Sequence, residues 1–173
     1  MASKAQLAFA RQVYAAAVEA KTEIDPAFVT AQAMLETGWG ARVIGKANLF
    51  GITKGSQWDG DIVMVKTHEY FKTPNQKFKE PDRIISVCKV TGKNLWYYTV
   101  MRAFKDFGSI GDCLKEHERL FQKSGYKDAW PFRKDPFKFA QKICDGVGCK
   151  YATDPTYLTT ITSIIKTIRR KCV

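Results

Sequence analysis

"AQAMLETGWGARVIGKANLFGITKGSQWDG", residues 31–60, is the stretch on which the reading of this chain turns. A helix-patterned apolar run carries a single acid, Glu36, and then breaks at Thr37-Gly38-Trp39-Gly40. Phe28, Ala31, Met34 and Leu35 supply the face that would be buried, and Glu36 lies next to it at the helix C-terminus. The negative end of the helix dipole and the apolar neighbours both disfavour a carboxylate there, so both push its pKa upward. A carboxyl still protonated near neutral pH is what a general acid requires. Gly38 is suited to end the helix in a left-handed conformation, and Gly40 lets the backbone turn again. From spacing alone, an exposed helix-end glutamate beside a packed tryptophan fits as well.

Working outward, three Asp-Pro pairs at 25–26, 135–136 and 154–155 each predict a helix start, with aspartate as N-cap and proline at the first helical position. The helices would be "PAFVTAQAMLET", "PFKFAQKICDG" and "PTYLTTITSIIKTIRRK", so that Asp154 becomes the N-cap of the last. An earlier helix covers about 4–22 and another, capped by Ser109, about 110–123. The apolar stripe of the latter is Ile110, Cys113, Leu114, His117 and Phe121, which makes His117 a core residue. Between these helices "DIVMVKTHEYF", "RIISVCKV" and "LWYYTVMRAF" are rich in β-branched and aromatic residues, with turn signals at Thr73-Pro74-Asn75 and Thr91-Gly92. The expectation is one α+β catalytic domain over 1–173, with a small antiparallel β-lobe inserted at about 61–105 beside a helical lobe.

Composition narrows the function classes. The 173 residues, 45% hydrophobic and 13% aromatic, describe a globular chain. No apolar run approaches the roughly 18 residues of a membrane span. The N-terminal stretch is interrupted by Lys4, Gln6, Arg11 and Gln12 and lacks a continuous hydrophobic segment. It therefore reads as an amphipathic helix and not as a signal peptide, and synthesis in the cytoplasm is expected. Net charge is +11, and almost all of it falls in residues 61–173, where 22 basic residues face 12 acidic ones. That asymmetry favours a polyanionic partner. Nucleic acid is one candidate, but no helix-turn-helix, RNP-like or zinc pattern is present, so a nucleic-acid-binding module is the rival and not the reading adopted. Five cysteines with no C-x-x-C and only two histidines give no metal site, and no cofactor is expected. Cys144 and Cys149 enclose a short loop that would close a disulfide in an oxidising compartment; buried thiols fit equally. "GARVIGKA", Gly40 to Ala47, follows the phosphate-loop pattern until its last position, where Ala47 stands in place of the magnesium-binding hydroxyl. It also follows a helix and not a strand, which excludes nucleotide binding there.

Further candidates for a site come from the flanks. Trp39 offers a flat apolar surface of the sort that stacks on a sugar ring, and Phe50 and Trp58 in "NLFGITKGSQWDG" would wall a groove. In "KTHEYF", strand alternation puts Glu69 on one face with Val63, Val65, Thr67 and Phe71, and Lys66, His68 and Tyr70 on the other. Glu69 then ends an apolar face, as a cleft residue or as a strand-end surface acid.

Taken in order, "AQAMLETGWG", "NLFGITKG..W.G", "THEY" and "YATDPTY" resemble the β-N-acetylglucosaminidases of bacterial autolysins and flagellar wall hydrolases, glycoside hydrolase family 73. The resemblance implies a lysozyme-like fold with a cleft between the lobes, and cleavage of the β-1,4 bond after N-acetylglucosamine in peptidoglycan. Glu36 matches the general acid, Glu69 the second carboxylate and Tyr151 the tyrosine near the scissile bond. Thr37 stands where the family often has serine, a change not expected to matter. Trp39, Phe50, Trp58 and Tyr70 are the expected substrate-binding residues. The separation of the two carboxyls would set the mechanism: about 5 Å for a nucleophile and retention, about 6.5–9.5 Å for activated water and inversion, with assistance by the N-acetyl group a third route. The basic excess would concentrate the enzyme on an acidic wall. Two deliveries suit such a chain: an antibacterial effector, as of a type VI secretion system, acting in a target cell's periplasm and countered by an immunity protein that occludes the cleft; or a phage lysin. The effector is the expectation adopted.

Overall fold

A computed structural model describes residues 2–145, 151, 152 and 154–173; Cys149, and with it the expected Cys144–Cys149 pairing, lies outside the described residues. The chain divides into two compact units, Met1–Phe50 with Phe107–Val173, and Gly51–Asp106.

The first unit contains five α-helices among its described residues: α1 (Lys4–Glu19), α2 (Pro26–Thr37), α3 (Ile110–Phe121), α4 (Pro136–Asp145) and α5 (Tyr157–Lys171). Four of the starts are chemically simple. Ser3 and Gln6 form a reciprocal capping box at α1, with Ser3 N donating to Gln6 Oε1 at 2.7 Å and Gln6 N to Ser3 Oγ at 3.2 Å. Asp25 accepts from Ala27 N at 2.8 Å and Phe28 N at 3.3 Å, and Pro26 occupies the first position of α2. Ser109 accepts from Asp112 N at α3, and Asp135 from Phe137 N and Lys138 N at α4. The fifth departs from expectation. Asp154 accepts from the backbone and hydroxyl of Thr156, both at 2.8 Å, closing a local turn, and the helix begins only at Tyr157 with Thr156 at the cap position. An aspartate that hydrogen-bonds two residues ahead builds an Asx turn as readily as a helix start.

α2 is the spine of this unit. Ala27 to Met34 are all buried, and the helix packs against α1, α4 and α5. A helix covered on so many sides needs no polar face. Phe28 sets its ring edge-on to Phe139 at 4.9 Å and to Phe121 at 6.3 Å, tying α2 to α4 and α3. Ile161, Ile165 and Ile168 of α5 are fully buried in the same core. His117 is there too: its ring lies within 3.7 Å of the Phe50 ring, nearly parallel, and neither ring nitrogen has a hydrogen-bond partner among the described residues. Burial lowers its pKa to about 3, so it sits in the core as a neutral aromatic.

The second unit is a three-stranded antiparallel sheet in the order β1-β3-β2, with β1 (Ile62–Phe71), β2 (Arg83–Lys89) and β3 (Trp96–Lys105). β3 is central and contributes buried Tyr98, Val100, Ala103 and Phe104. Glu69 pairs opposite Tyr98 and Val65 opposite Arg102, so Glu69, Tyr98, Val65 and Arg102 share one face. Phe71, Phe78 and Tyr98 cluster on it, with ring centroids 5.2–6.3 Å apart. The helices and this sheet make the expected α+β fold. Among the described residues no helix is long and apolar enough to cross a membrane.

Candidate active site

Glu36 occupies the last turn of α2, and the backbone leaves the helix abruptly behind it. Gly38 caps in the left-handed region (φ 59°, ψ 49°), and Trp39 (φ 61°) and Gly40 (φ 88°) also have positive φ. Glycine is required at 40 for a second reason, because a Cβ there would lie 2.6 Å from the Phe9 ring. Three residues in this region need support, and the loop supplies it. Trp39 N donates to Met34 O at 2.7 Å, while the buried Thr37 hydroxyl donates to Ala33 O at 2.7 Å and accepts from Gly40 N at 2.8 Å. A serine hydroxyl would make the same two bonds, so threonine at 37 preserves the loop.

The Glu36 carboxyl reaches solvent, but its surroundings are crowded enough that desolvation raises its pKa. Opposing this, the Tyr151 hydroxyl donates to Glu36 Oε1 at 3.2 Å and lowers it by a smaller amount. Tyr151 comes from the segment after α4. Its backbone N donates to Ile143 O at 3.0 Å, and its ring stacks on Phe121 at 5.6 Å. Behind it Tyr157 of α5 lies 5.6 Å away ring to ring, and its hydroxyl accepts from the fully buried Gln32 Nε2 at 3.1 Å. Gln32 is one turn before Glu36 on α2, so Tyr157 and Tyr151 meet the helix through two polar contacts one turn apart. Burial holds both tyrosines well above the ordinary phenol range, and they stay neutral. A carboxyl whose pKa is raised by desolvation keeps its proton to higher pH than an ordinary glutamate, which suits it to proton donation.

Glu69 lies in the sheet unit. Its Oε1 accepts from Arg102 Nη1, and Arg102 Nε is 2.8 Å from Asp82 Oδ2, an ion-pair contact without hydrogen-bond geometry. The aromatic candidates are placed diversely. Trp39 lines a depression with Leu35, Thr160, Ser163 and Ile164, between α2 and α5. One Phe50 face is stacked on His117. Trp58 donates Nε1 to Asp61 O at 2.9 Å and carries Lys105 Nζ 4.6 Å from its ring centroid. Tyr70, exposed and tilted against Tyr97, points from the sheet face opposite to Glu69. Gln32, Asp82, Arg102 and Tyr157 were not singled out from the sequence. Arg102 had a signal: alternation in "WYYTVMRAF" puts a cation on the face of Tyr98 and Val100. Among the described residues no group of three or more His, Cys, Asp or Glu side chains is placed to hold a metal ion.

Comparison with known proteins gives the constellation its context. The FlgJ peptidoglycan hydrolase of Pseudomonas aeruginosa is 28% identical over 150 residues, which cover 83% of this chain and 31% of that protein. A probable N-acetylmuramidase of Lactococcus lactis is 29% identical over 143 residues, 81% of this chain and 28% of that one. The chain thus spans about a third of the length of these relatives. The solved C-terminally truncated glycoside hydrolase domain of Salmonella typhimurium FlgJ superposes with a TM-score of 0.68 at 22% identity, covering 95% of this chain and 98% of that one, which shows the fold. Residues 12–170 match the model of the Glucosaminidase family, described as mannosyl-glycoprotein endo-beta-N-acetylglucosaminidase, and the chain belongs to that family.

Proposed function

We propose that the chain hydrolyses peptidoglycan, cutting the β-1,4 bond after N-acetylglucosamine. The observation that carries the reading is the Glu36 carboxyl, raised by desolvation and held by the Tyr151 hydroxyl across 115 residues of sequence. In this reading Glu36 gives its proton to the leaving glycosidic oxygen. Glu69 is the second carboxylate, acting on water or on the anomeric carbon, and Tyr151 steadies Glu36 beside the scissile bond. Trp39, Phe50, Trp58 and Tyr70 are the proposed sugar contacts, Tyr70 with the least support because it leaves the sheet from the other face than Glu69. The formal charge of +11 suits adsorption to a wall rich in carboxylates.

Digestion of purified peptidoglycan by the wild type and by Glu36→Gln, with mass spectrometry of the reduced fragments, tests this directly. Reduced N-acetylglucosamine ends from the wild type alone are expected. The name of the Lactococcus relative favours a second reading, a muramidase on the same scaffold, and reduced N-acetylmuramic acid ends would select it. No release from either protein would sink both.

Action on another cell's wall, as a delivered antibacterial effector opposed by an immunity protein, is the finer part of the proposal. Among the described residues Cys88, Cys113, Cys144 and Cys172 are all free thiols, so disulfides lend it no support there. It predicts that production in the periplasm of a host without the immunity gene is lethal and that production in its cytoplasm is harmless. Equal tolerance of both would remove it.

A further inference from the structure

Glu69 is held by a built arrangement on its own sheet. It projects from β1, and Arg102 projects from β3 on the same face, four register positions along. The guanidinium is fixed from two other sides. Asp82 Oδ2 is 2.8 Å from Nε, and Cζ lies 5.7 Å from the Phe78 ring centroid, within the range of a cation–π contact. Asp82 is itself tied down, because its Oδ1 accepts from Ala103 N at 2.7 Å. Asp82, Arg102 and Glu69 have side-chain exposures of 17, 24 and 30%, so all three are shielded more than an ordinary surface ion pair. The chain of constraint therefore runs from the β3 backbone through Asp82 and Arg102 to one oxygen of Glu69. Among the described residues the other oxygen, Oε2, has no hydrogen-bond partner.

We infer that Arg102, braced by Asp82, is the positioning residue of Glu69: it engages Oε1, locks the side chain, and leaves Oε2 as the reacting oxygen. This rests on the proposed hydrolase reading. In the water-activating form, the water oxygen bonds to the anomeric carbon as the glycosidic C–O bond breaks. Glu36 protonates the leaving oxygen, and Oε2 receives the water proton. In the nucleophilic form Oε2 bonds to the anomeric carbon as the glycosidic C–O bond breaks and Glu36 protonates the leaving oxygen; water, giving its proton to Glu36, then displaces Oε2 and frees the sugar. Either way a free-swinging Glu69 would lose rate and not substrate affinity, because Arg102 acts through Glu69 and not through the sugar.

The test is steady-state hydrolysis of soluble peptidoglycan fragments by the whole chain and by Arg102→Met, Arg102→Lys, Asp82→Asn, Glu69→Gln and the double variant Arg102→Met/Glu69→Gln, each checked for a cooperative thermal transition. Arg102→Met is expected to lower kcat about 10- to 100-fold with KM within about twofold, the size of effect a misplaced reacting group produces. Arg102→Lys is expected to recover part of that loss, and Asp82→Asn to lower kcat in the same direction by less. The double variant is expected to be no slower than Glu69→Gln alone, because a residue that works only through Glu69 has nothing left to position. Wild-type kcat in Arg102→Met, or losses that multiply in the double variant, would overturn the inference. If Arg102→Met does not fold, Arg102→Lys and Asp82→Asn decide by the same criteria, and wild-type kcat in both overturns it. An inactive wild type would sink the hydrolase reading and the inference with it. An active wild type with a fully active Glu69→Gln would overturn the inference and leave hydrolysis by Glu36 standing.

Discussion

Helix α2 and strand β2 bury themselves to opposite extents. Residues Ala27 to Met34 of α2 are all buried, whereas every residue of β2 from Arg83 to Lys89 is exposed. Glu36 lies at the end of α2, and Glu69 lies on β1 of the sheet to which β2 belongs, where exposed and half-buried residues are mixed. Glu36 ends a helix locked into a core, where desolvation raises its pKa against the smaller opposing effect of the Tyr151 hydroxyl. Glu69 is half-buried on the face of the sheet that carries Tyr98 and Phe71, and there it is held by an explicit ion pair to Arg102. The first acid is tuned mainly by desolvation, and the second is held by a charged partner.

The contrast breaks first at Glu36. Removing the acid while keeping its shape, as Glu36→Gln, is expected to lower the hydrolytic rate about 10²–10⁴-fold, the usual contribution of a general acid. The melting temperature is expected to stay level or rise. The sign follows from linkage: a carboxyl whose folded pKa is raised opposes folding above its unfolded pKa, where ionisation is favoured in the unfolded chain, so an amide relieves that opposition at neutral pH. A melting temperature that falls clearly would mean the carboxyl stabilises α2 and that the crowding argument is wrong. In the wild type, activity should decline as pH rises through the raised pKa, because the donor must be protonated.

Phe28→Ala probes the core into which α2 is locked. Its ring bridges Phe121 and Phe139 at zero exposure, and truncation should cost about 3–5 kcal/mol by denaturant unfolding. A loss below about 1 kcal/mol would show that the core collapses around the gap, which close-packed interiors rarely do.

His117 sharpens the comparison through pH. Its folded pKa of about 3 lies below the ordinary value of 6.5, so the unfolded state binds the proton first. The stability it provides is whole above pH 6.5 and is lost as pH falls from there toward 3, by at most about 1.4 kcal/mol per pH unit. His117→Phe, which keeps a ring against Phe50, should flatten that part of the stability curve. An unchanged acid slope would assign it to carboxylates instead.

At the small end, Val87→Thr on β2 should change stability by less than about 0.5 kcal/mol, since the side chain is 41% exposed. A loss above 1 kcal/mol would mean that β2 is covered by something in solution.

Much of this molecule was legible in its order of residues, because the features concerned are local. Asp25-Pro26, Ser109 and Asp135-Pro136 start helices by bonds to backbone two or three residues away, and Gly38 ends one for want of a Cβ. Strand alternation alone puts Glu69 and Tyr70 on opposite faces. Where local rules competed, the sequence was ambiguous: Asp154 has the same chemistry as Asp25 but closes a turn instead of a helix. The long-range pairings were decided only by tertiary structure. Tyr151 reaches Glu36 across 115 residues, Tyr157 reaches Gln32 across 125, and Arg102 reaches Glu69 across 33. No spacing encodes such contacts, because they depend on how α2 packs against α5 and on the register of β1 with β3, and those follow from the summed burial of many apolar side chains. The chain by itself determined that Glu36 would sit at a helix end. Packing decided that it would be crowded, raised in pKa and met there by a neutral tyrosine, since desolvation is a property of neighbours in space and not in sequence.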